Sequence, residues 1–177
     1  MLKPKKIIQF GHKTLRQNSA EVPLGYINSS EIKKVVADLK NTIPENGIGL
    51  AAPQINQPWR IFVADISKEK WSDAPVQPSI CINPKIISSS SRVESDWEGC
   101  LSAPGIWGKV ERPYSVKVEY YDETGQKITA DLGGVAARVF QHELDHLNGV
   151  LFVDRMKDMT TLIMDEEFDK IRDNERV

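Results

Sequence analysis

The chain is short of several things that would have pointed elsewhere. It has two cysteines, Cys81 and Cys100, in 177 residues, too few for a disulfide framework. It has no apolar run near the roughly 18 residues of a membrane span. Its net charge of −2 gives no bulk attraction to nucleic acid or an anionic membrane, and no nucleic-acid motif occurs. The opening stretch MLKPKKIIQFGHK is basic but lacks the apolar core of a secretory signal. There is no internal repeat, and the serine run at 88–91 is too short for a tether. These absences predict a soluble protein of a reducing compartment, the cytoplasm. Histidine is scarce too, with three in the chain, and two of them fall four apart in FQHELDHLNG.

What is present suits one domain. Hydrophobic residues make up 40% of the sequence, enough for a sizeable core within a single unit over 1–177. SEIKKVVADLKNTI reads as a helix from Ile32, Val35, Val36, Leu39 and Ile43, capped by Ser29 or Ser30 and stopped near Pro44. RIFVADI (60–66) reads as a strand, SKEKWSDAPVQPS (67–79) as a surface loop and SICINPKII as extended chain. SVKVEYYDETGQKITADL reads as a hairpin turning at DETG. Residues 134–147 read as a helix closed by Asn148-Gly149. A last helix is expected over about 160–173, with Leu162, Ile163, Phe168 and Ile171 on its apolar face. The sum is an α+β fold, a single domain of mixed or antiparallel strands packed around a central helix, that of 134–147.

The 134–147 helix carries the first chemistry. At about 100° per residue, Val135, Val139, His142, Glu143 and His146 share one sector, and Ala136, Phe140, Leu144 and Leu147 fill the next. Gln141, Asp145 and Asn148 point away, with Arg138 near them. Two imidazoles at i and i+4 can ligate one metal, and the Glu between them can reach a water on it. The plainer reading is a core helix whose histidines only find hydrogen-bond partners. A catalytic site needs a third protein ligand and an open position. Downstream, Asp154, Asp158, Asp165 and Glu166 offer carboxylates in no distinctive setting. Upstream, WEGCLSAPG offers Cys100, a soft thiolate ligand. Cys81, inside the apolar run ICIN, suits an inert core thiol. NGIGLAAPQ adds a stretch of small residues where a backbone can approach a neighbour or a substrate, followed by the Gln54 amide.

In this order, GIGLAAPQ, EGCLS and QHELDH resemble the three signature motifs of the peptide deformylase family. The likeness runs from FGHKTLR to GVLFVDRM. It departs at Lys13, where the family often has proline after the preceding pair, and APGIWGK lies where members vary. The resemblance implies a metal-dependent hydrolase that removes the formyl group from the N-terminal formylmethionine of new proteins and releases formate. It implies Cys100, His142 and His146 as metal ligands and Glu143 as the carboxylate that activates a metal-bound water. It implies Gln54 and the Leu101 N–H as oxyanion donors, Gly49 beside the formyl end and Ile48 at the methionine pocket. Glu98 and Arg112 match an acid and a base whose buried bidentate pair would fix the Cys100 loop. Fe²⁺ is the implied ion, although the donor set alone admits Zn²⁺, Ni²⁺ or Co²⁺. The implied partners are nascent N-formylmethionyl polypeptides, met near the ribosomal tunnel exit.

An enzyme acting on many new chains gains tolerance from main-chain pairing to a strand edge. Ile48-Gly49 and Gly105-Ile106 are the expected edges, and Val135 and Val139 join Ile48 as expected pocket walls, unless the valines are ordinary core. Two other classes stay open. A general zinc endopeptidase would use the helix motif with a downstream ligand. A binding protein would close the metal with four protein ligands.

Overall fold

The structure, a computed structural model, describes residues 3–45, 47–64 and 80–174. The loop expected over 67–79, Asn46, and the last two residues of the RIFVADI strand lie outside the described residues. The elements are, in chain order, α1 (Ser30–Thr42), β1 (Gly49–Ala51), β2 (Ile61–Ala64), β3 (Ile80–Ser89), β4 (Val93–Cys100), β5 (Ala103–Pro113), β6 (Ser115–Tyr121), β7 (Lys127–Gly133), α2 (Gly134–Leu147), α3 (Phe152–Arg155), β8 (Ile163–Met164) and α4 (Asp165–Asn174). One sheet runs β1-β2-β3-β6-β7 and the other β4-β5-β8. Every pairing between these strands is antiparallel.

Local sequence explains much of this. The Ser29 hydroxyl accepts the Ile32 N–H at 3.2 Å, satisfying one of the free donors at the start of α1. Ile32, Val35, Val36 and Leu39 then bury one face of that helix with Leu50, Ile61 and Ile82 of the sheet. The β6–β7 hairpin turns where the Asp122 carboxylate accepts the N–H groups of Thr124 and Gln126, each at 2.9 Å, a side chain standing in for a backbone turn. The second core cluster joins Ala136, Ala137, Phe140 and Leu147 of α2 to Phe62, Val116, Val118 and Leu132, with Phe62 and Phe140 edge to face at 5.2 Å.

Helix α2 touches β1, β2, β6 and β7 of one sheet and β5 of the other. The side expected to point away is therefore covered: Gln141 and Asp145 are buried, and Gln141 donates to the carbonyls of Pro113 and Ala137. Only Asn148 of that group is exposed. Helix α2 ends as expected at Gly149, whose φ is +71° and whose Cβ, had it one, would lie 2.7 Å from the Arg16 carbonyl carbon. Only glycine fits both demands.

The C-terminal stretch differs from expectation. The helix starts at Asp165, and Leu162 and Ile163 do not lie on it. Asp158 caps a single turn over Met159–Thr161, and β8 pairs Ile163 with Trp107 and Met164 with Ile106. The open edge of β5 offers backbone partners that a helix there would forgo. Phe168 and Ile171 stay half-buried on α4.

Candidate metal centre and catalytic site

Three donors from two elements meet. Helix α2 presents His142 and His146 one turn apart, ring centroids 5.0 Å from each other. Strand β4 ends in Cys100 after a register break between Gly99 and Cys100, a bulge that re-aims the side chain. The Cys100 Sγ lies 3.2 Å from His146 Nε2, and the ligand atoms of Cys100, His142 and His146 all lie within 4.8 Å of one another. Burial works against ionising the Cys100 thiol, but the His146 and His142 imidazoles override it and hold the thiol well below its ordinary value. Cys81 is the opposite case: fully buried, it is pushed well above and stays an inert core thiol.

The donor set fits a single ion. His142 Nδ1 lies 2.9 Å from Glu98 Oε2, which fixes the tautomer that leaves Nε2 free to ligate. Thiolate and imidazole donors bind an ion at about 2.0–2.3 Å, so one ion spans these separations. Glu143 Oε2 and His146 Nδ1 are buried and, among the described residues, have no hydrogen-bond partner, which leaves the Glu143 carboxylate oxygen free for a group other than protein. Among the described residues no fourth His, Cys, Asp or Glu joins the cluster. Of the downstream acids, Asp154 pairs with Arg16, Asp158 caps its turn, Asp165 accepts from Trp107 and Glu166 is exposed on α4.

Glu143 is 4% exposed, and burial pushes its carboxyl up to about 7, against the pull of His142 and His146. It lies against β1. A Cβ on Gly49 would sit 2.7 Å from Glu143 Cδ, so the glycine is what lets the carboxyl lie there. Gln54 sits in the turn Ala52–Ile55, and its Oε1 accepts the Ala51 N–H at 2.7 Å. Its Nε2 is thereby turned toward the β4 end, 3.2 Å from Ser102 Oγ and 3.6 Å from Cys100 Sγ. Leu101 follows the thiolate directly, and the Ser102 carbonyl beyond it is held by the Phe10 N–H at 3.0 Å.

Glu98 and Arg112 do pair, both 5% exposed, through two bonds of 2.6 and 2.9 Å. The pair is part of a longer chain of charges. Glu98 also accepts from Arg138 at 2.8 Å. Arg112 reaches Asp145 at 2.8 Å, and Asp145 accepts from Arg155 of α3 at 2.6 Å. Burial opposes the charge on Glu98, but the bonds from Arg112 and His142 hold it well below the usual carboxylate range. Sequence reasoning missed Ser102, Asp145 and Arg155 here. Arg138, placed by its sequence position near the far side of the helix, turns back to Glu98.

The expected substrate residues separate. Ile48 and Val139 pack beside the α2 cluster, and Val135 is half-buried at the start of the helix. The free edge expected at Gly105-Ile106 is corrected: Ile106 already pairs with Met164 of β8. Among the described residues, the strands with an unpaired side nearest the ligands are β1, bonded only to β2, and β4, bonded only to β5. They carry Gly49 and Gly99.

Comparison with known proteins adds the relatives. A family model described as polypeptide deformylase matches residues 4–161. "Peptide deformylase 2" of Nostoc sp. (strain PCC 7120) is 42% identical over 168 residues, 93% of each chain. A Met-Ala-Ser-bound class I type b peptide deformylase from Acinetobacter baumannii aligns with a TM-score of 0.80 at 34% identity, over 88% of this chain and 100% of that one. A peptide deformylase from Synechococcus elongatus in complex with actinonin aligns at 0.78 and 36% identity, over 90% of this chain and 82% of that one.

Proposed function

The chain belongs to the polypeptide deformylase family, the metal-dependent hydrolases that take the formyl group from N-terminal formylmethionine, and on that footing we propose how its residues divide the work. Cys100, His142 and His146 hold one divalent ion. The ion, when bound, lowers the pKa of a water and polarises the formyl oxygen. Glu143 takes the proton as the formyl carbon is attacked and passes it to the leaving amine. Its burial supports this role, because a carboxyl pushed up to about 7 can both accept and return a proton near neutrality. The Gln54 amide and the Leu101 N–H donate to the oxygen that gains charge. Glu98, with Arg112 behind it, keeps the His142 ring turned to the ion.

Ile48, Val135 and Val139 form the methionine pocket. The peptide's main chain lies between the free edges of β1 at Gly49 and β4 at Gly99, a tolerant form of recognition. The ion in cells is Fe²⁺, and the substrates are nascent N-formylmethionyl chains met in the cytoplasm near the ribosomal tunnel exit.

The observation that carries the reading is the convergence of three ligand atoms with an orphaned carboxylate, Glu143, packed on Gly49. The test is formate release from formyl-Met-Ala-Ser under anaerobic conditions, with acetyl-Met-Ala-Ser as the control. The formyl peptide should react much faster, because an added methyl overpacks the space beside Gly49. Comparable rates on the two, or cleavage of internal peptide bonds, would sink it.

A further inference from the structure

Residues beyond the segment matched by the family model, which ends at 161, return to the sheet that carries Cys100. Phe168 of α4 stacks on Trp107 of β5, centroids 4.0 Å apart and planes 10° from parallel, and meets Trp97 of β4 edge-on at 5.7 Å. Asp165 Oδ1 accepts the Trp107 indole N–H at 2.5 Å. Strand β8 pairs Ile163 with Trp107 itself. The same indole covers Gly99, its cross-strand partner: a Cβ at 99 would lie 3.1 Å from three atoms of the ring. Two groups this close cannot share one face of a ring, so Trp107 is held between the Gly99 backbone and the Phe168 ring.

Gly99 sits at the most demanding point of the chain. It precedes Cys100, it abuts the β4 bulge, and it belongs to a strand whose other side pairs with no strand among the described residues. Glycine within a strand is loose, having no side chain to pack, and an aromatic ring laid across it supplies the missing contact. We propose that Trp107, braced by Phe168 and Asp165, is a positioning residue that holds the Gly99 edge of β4 in place for the substrate's main chain. The inference rests on the formyl-peptide reading above. Cys100 is also held by its bonds to His146 and Gln54, so metal binding tolerates loss of the brace better than peptide docking does. A looser edge must be ordered on binding, and that cost appears in KM.

The experiment compares wild type, Phe168→Ala and Phe168→Tyr, all nickel-loaded, on formyl-Met-Ala-Ser and on formyl-methionine amide, which has no residues to lie along β4. Phe168→Ala should raise KM for the tripeptide about three- to tenfold, the scale of one aromatic pair, with kcat changed by less than about twofold. The short substrate should be unaffected, bound metal should match wild type, and Phe168→Tyr should restore the KM. An unchanged KM in Phe168→Ala, or equal losses on both substrates, overturns the proposal. Should Phe168→Ala not fold, Phe168→Leu, which keeps apolar bulk but loses the flat stack, is read by the same criteria. Wild type inactive on both substrates would overturn the formyl-peptide reading instead, whereas active wild type with indifferent Phe168 variants overturns this one alone.

Discussion

At the scale of single residues, the two cysteines make a controlled comparison. Cys100 has its thiol drawn toward ionisation by two imidazoles, and Cys81 has its thiol buried away from any charge that would help. Cys100→Ala should lose both bound metal and formate release, and Cys81→Ala should keep both. Metal analysis of the two purified proteins decides it. Glu143 asks a different question, because it touches the site without being counted among the ligands. Glu143→Gln keeps size and polarity but cannot take a proton. It should bind metal as wild type does while turnover falls by about 10²–10⁴-fold, the usual scale for lost acid–base help. Loss of metal in that variant would make Glu143 a ligand instead.

The elements differ in how well the sequence announces them. Helix α2 was legible because its histidines and its apolar face repeat at one period, and α1 because its cap and stop are local. Strand β8 was not, since two residues have no period to read and their pairing is decided by an edge supplied from β5. The charges behind His142 were half legible. Glu98 and Arg112 stood beside a recognisable motif, but Asp145 finds Arg112 across 33 positions, a contact that only the packed structure creates.

Helix α1 has a buried charge of its own. Asp38 is 2% exposed, and burial alone would raise its pKa. Hydrogen bonds from Lys34 at 3.1 Å and Gln57 at 3.2 Å, with the charge of Lys5 nearby, hold it below the usual value instead. A depressed carboxylate stabilises the fold above its unfolded pKa and loses that contribution as pH falls. Asp38→Asn should therefore cost about 1 kcal/mol at pH 7, a modest figure because Lys34 and Lys5 reach in from solvent. The difference should hold down to about pH 4 and narrow below it, as the folded carboxylate itself takes a proton, which urea unfolding at pH 7 and at about pH 3 would reveal. Equal differences at both would assign the effect to packing.

At the scale of the whole molecule, the centre is buried enough to perturb its groups yet open enough to be reached. Cys100 and His142 are half-buried, and His146 is buried. A substrate must reach such a centre, and oxygen can follow. Protein loaded anaerobically with Fe²⁺ should lose formate release over hours in air, through oxidation of the iron or the thiolate. Catalase or a reductant should slow the loss, and the nickel form should outlast the iron form. Equal lifetimes would mean that the site excludes oxygen or that iron does not sit there.

The distance between Cys100 and the α2 ligands along the chain has a consequence for how the protein comes into being. Synthesis is directional. Gln54 is made first, then Cys100, and His146 follows 46 positions later. A growing chain halted before α2 carries Gln54 and the Cys100 thiol but neither of the histidines that meet that thiol in the folded protein. No partial activity accumulates as the polypeptide lengthens. On the proposed division of roles, the molecule would pass from inert to competent in one step, when His146 has been made and folded against Cys100.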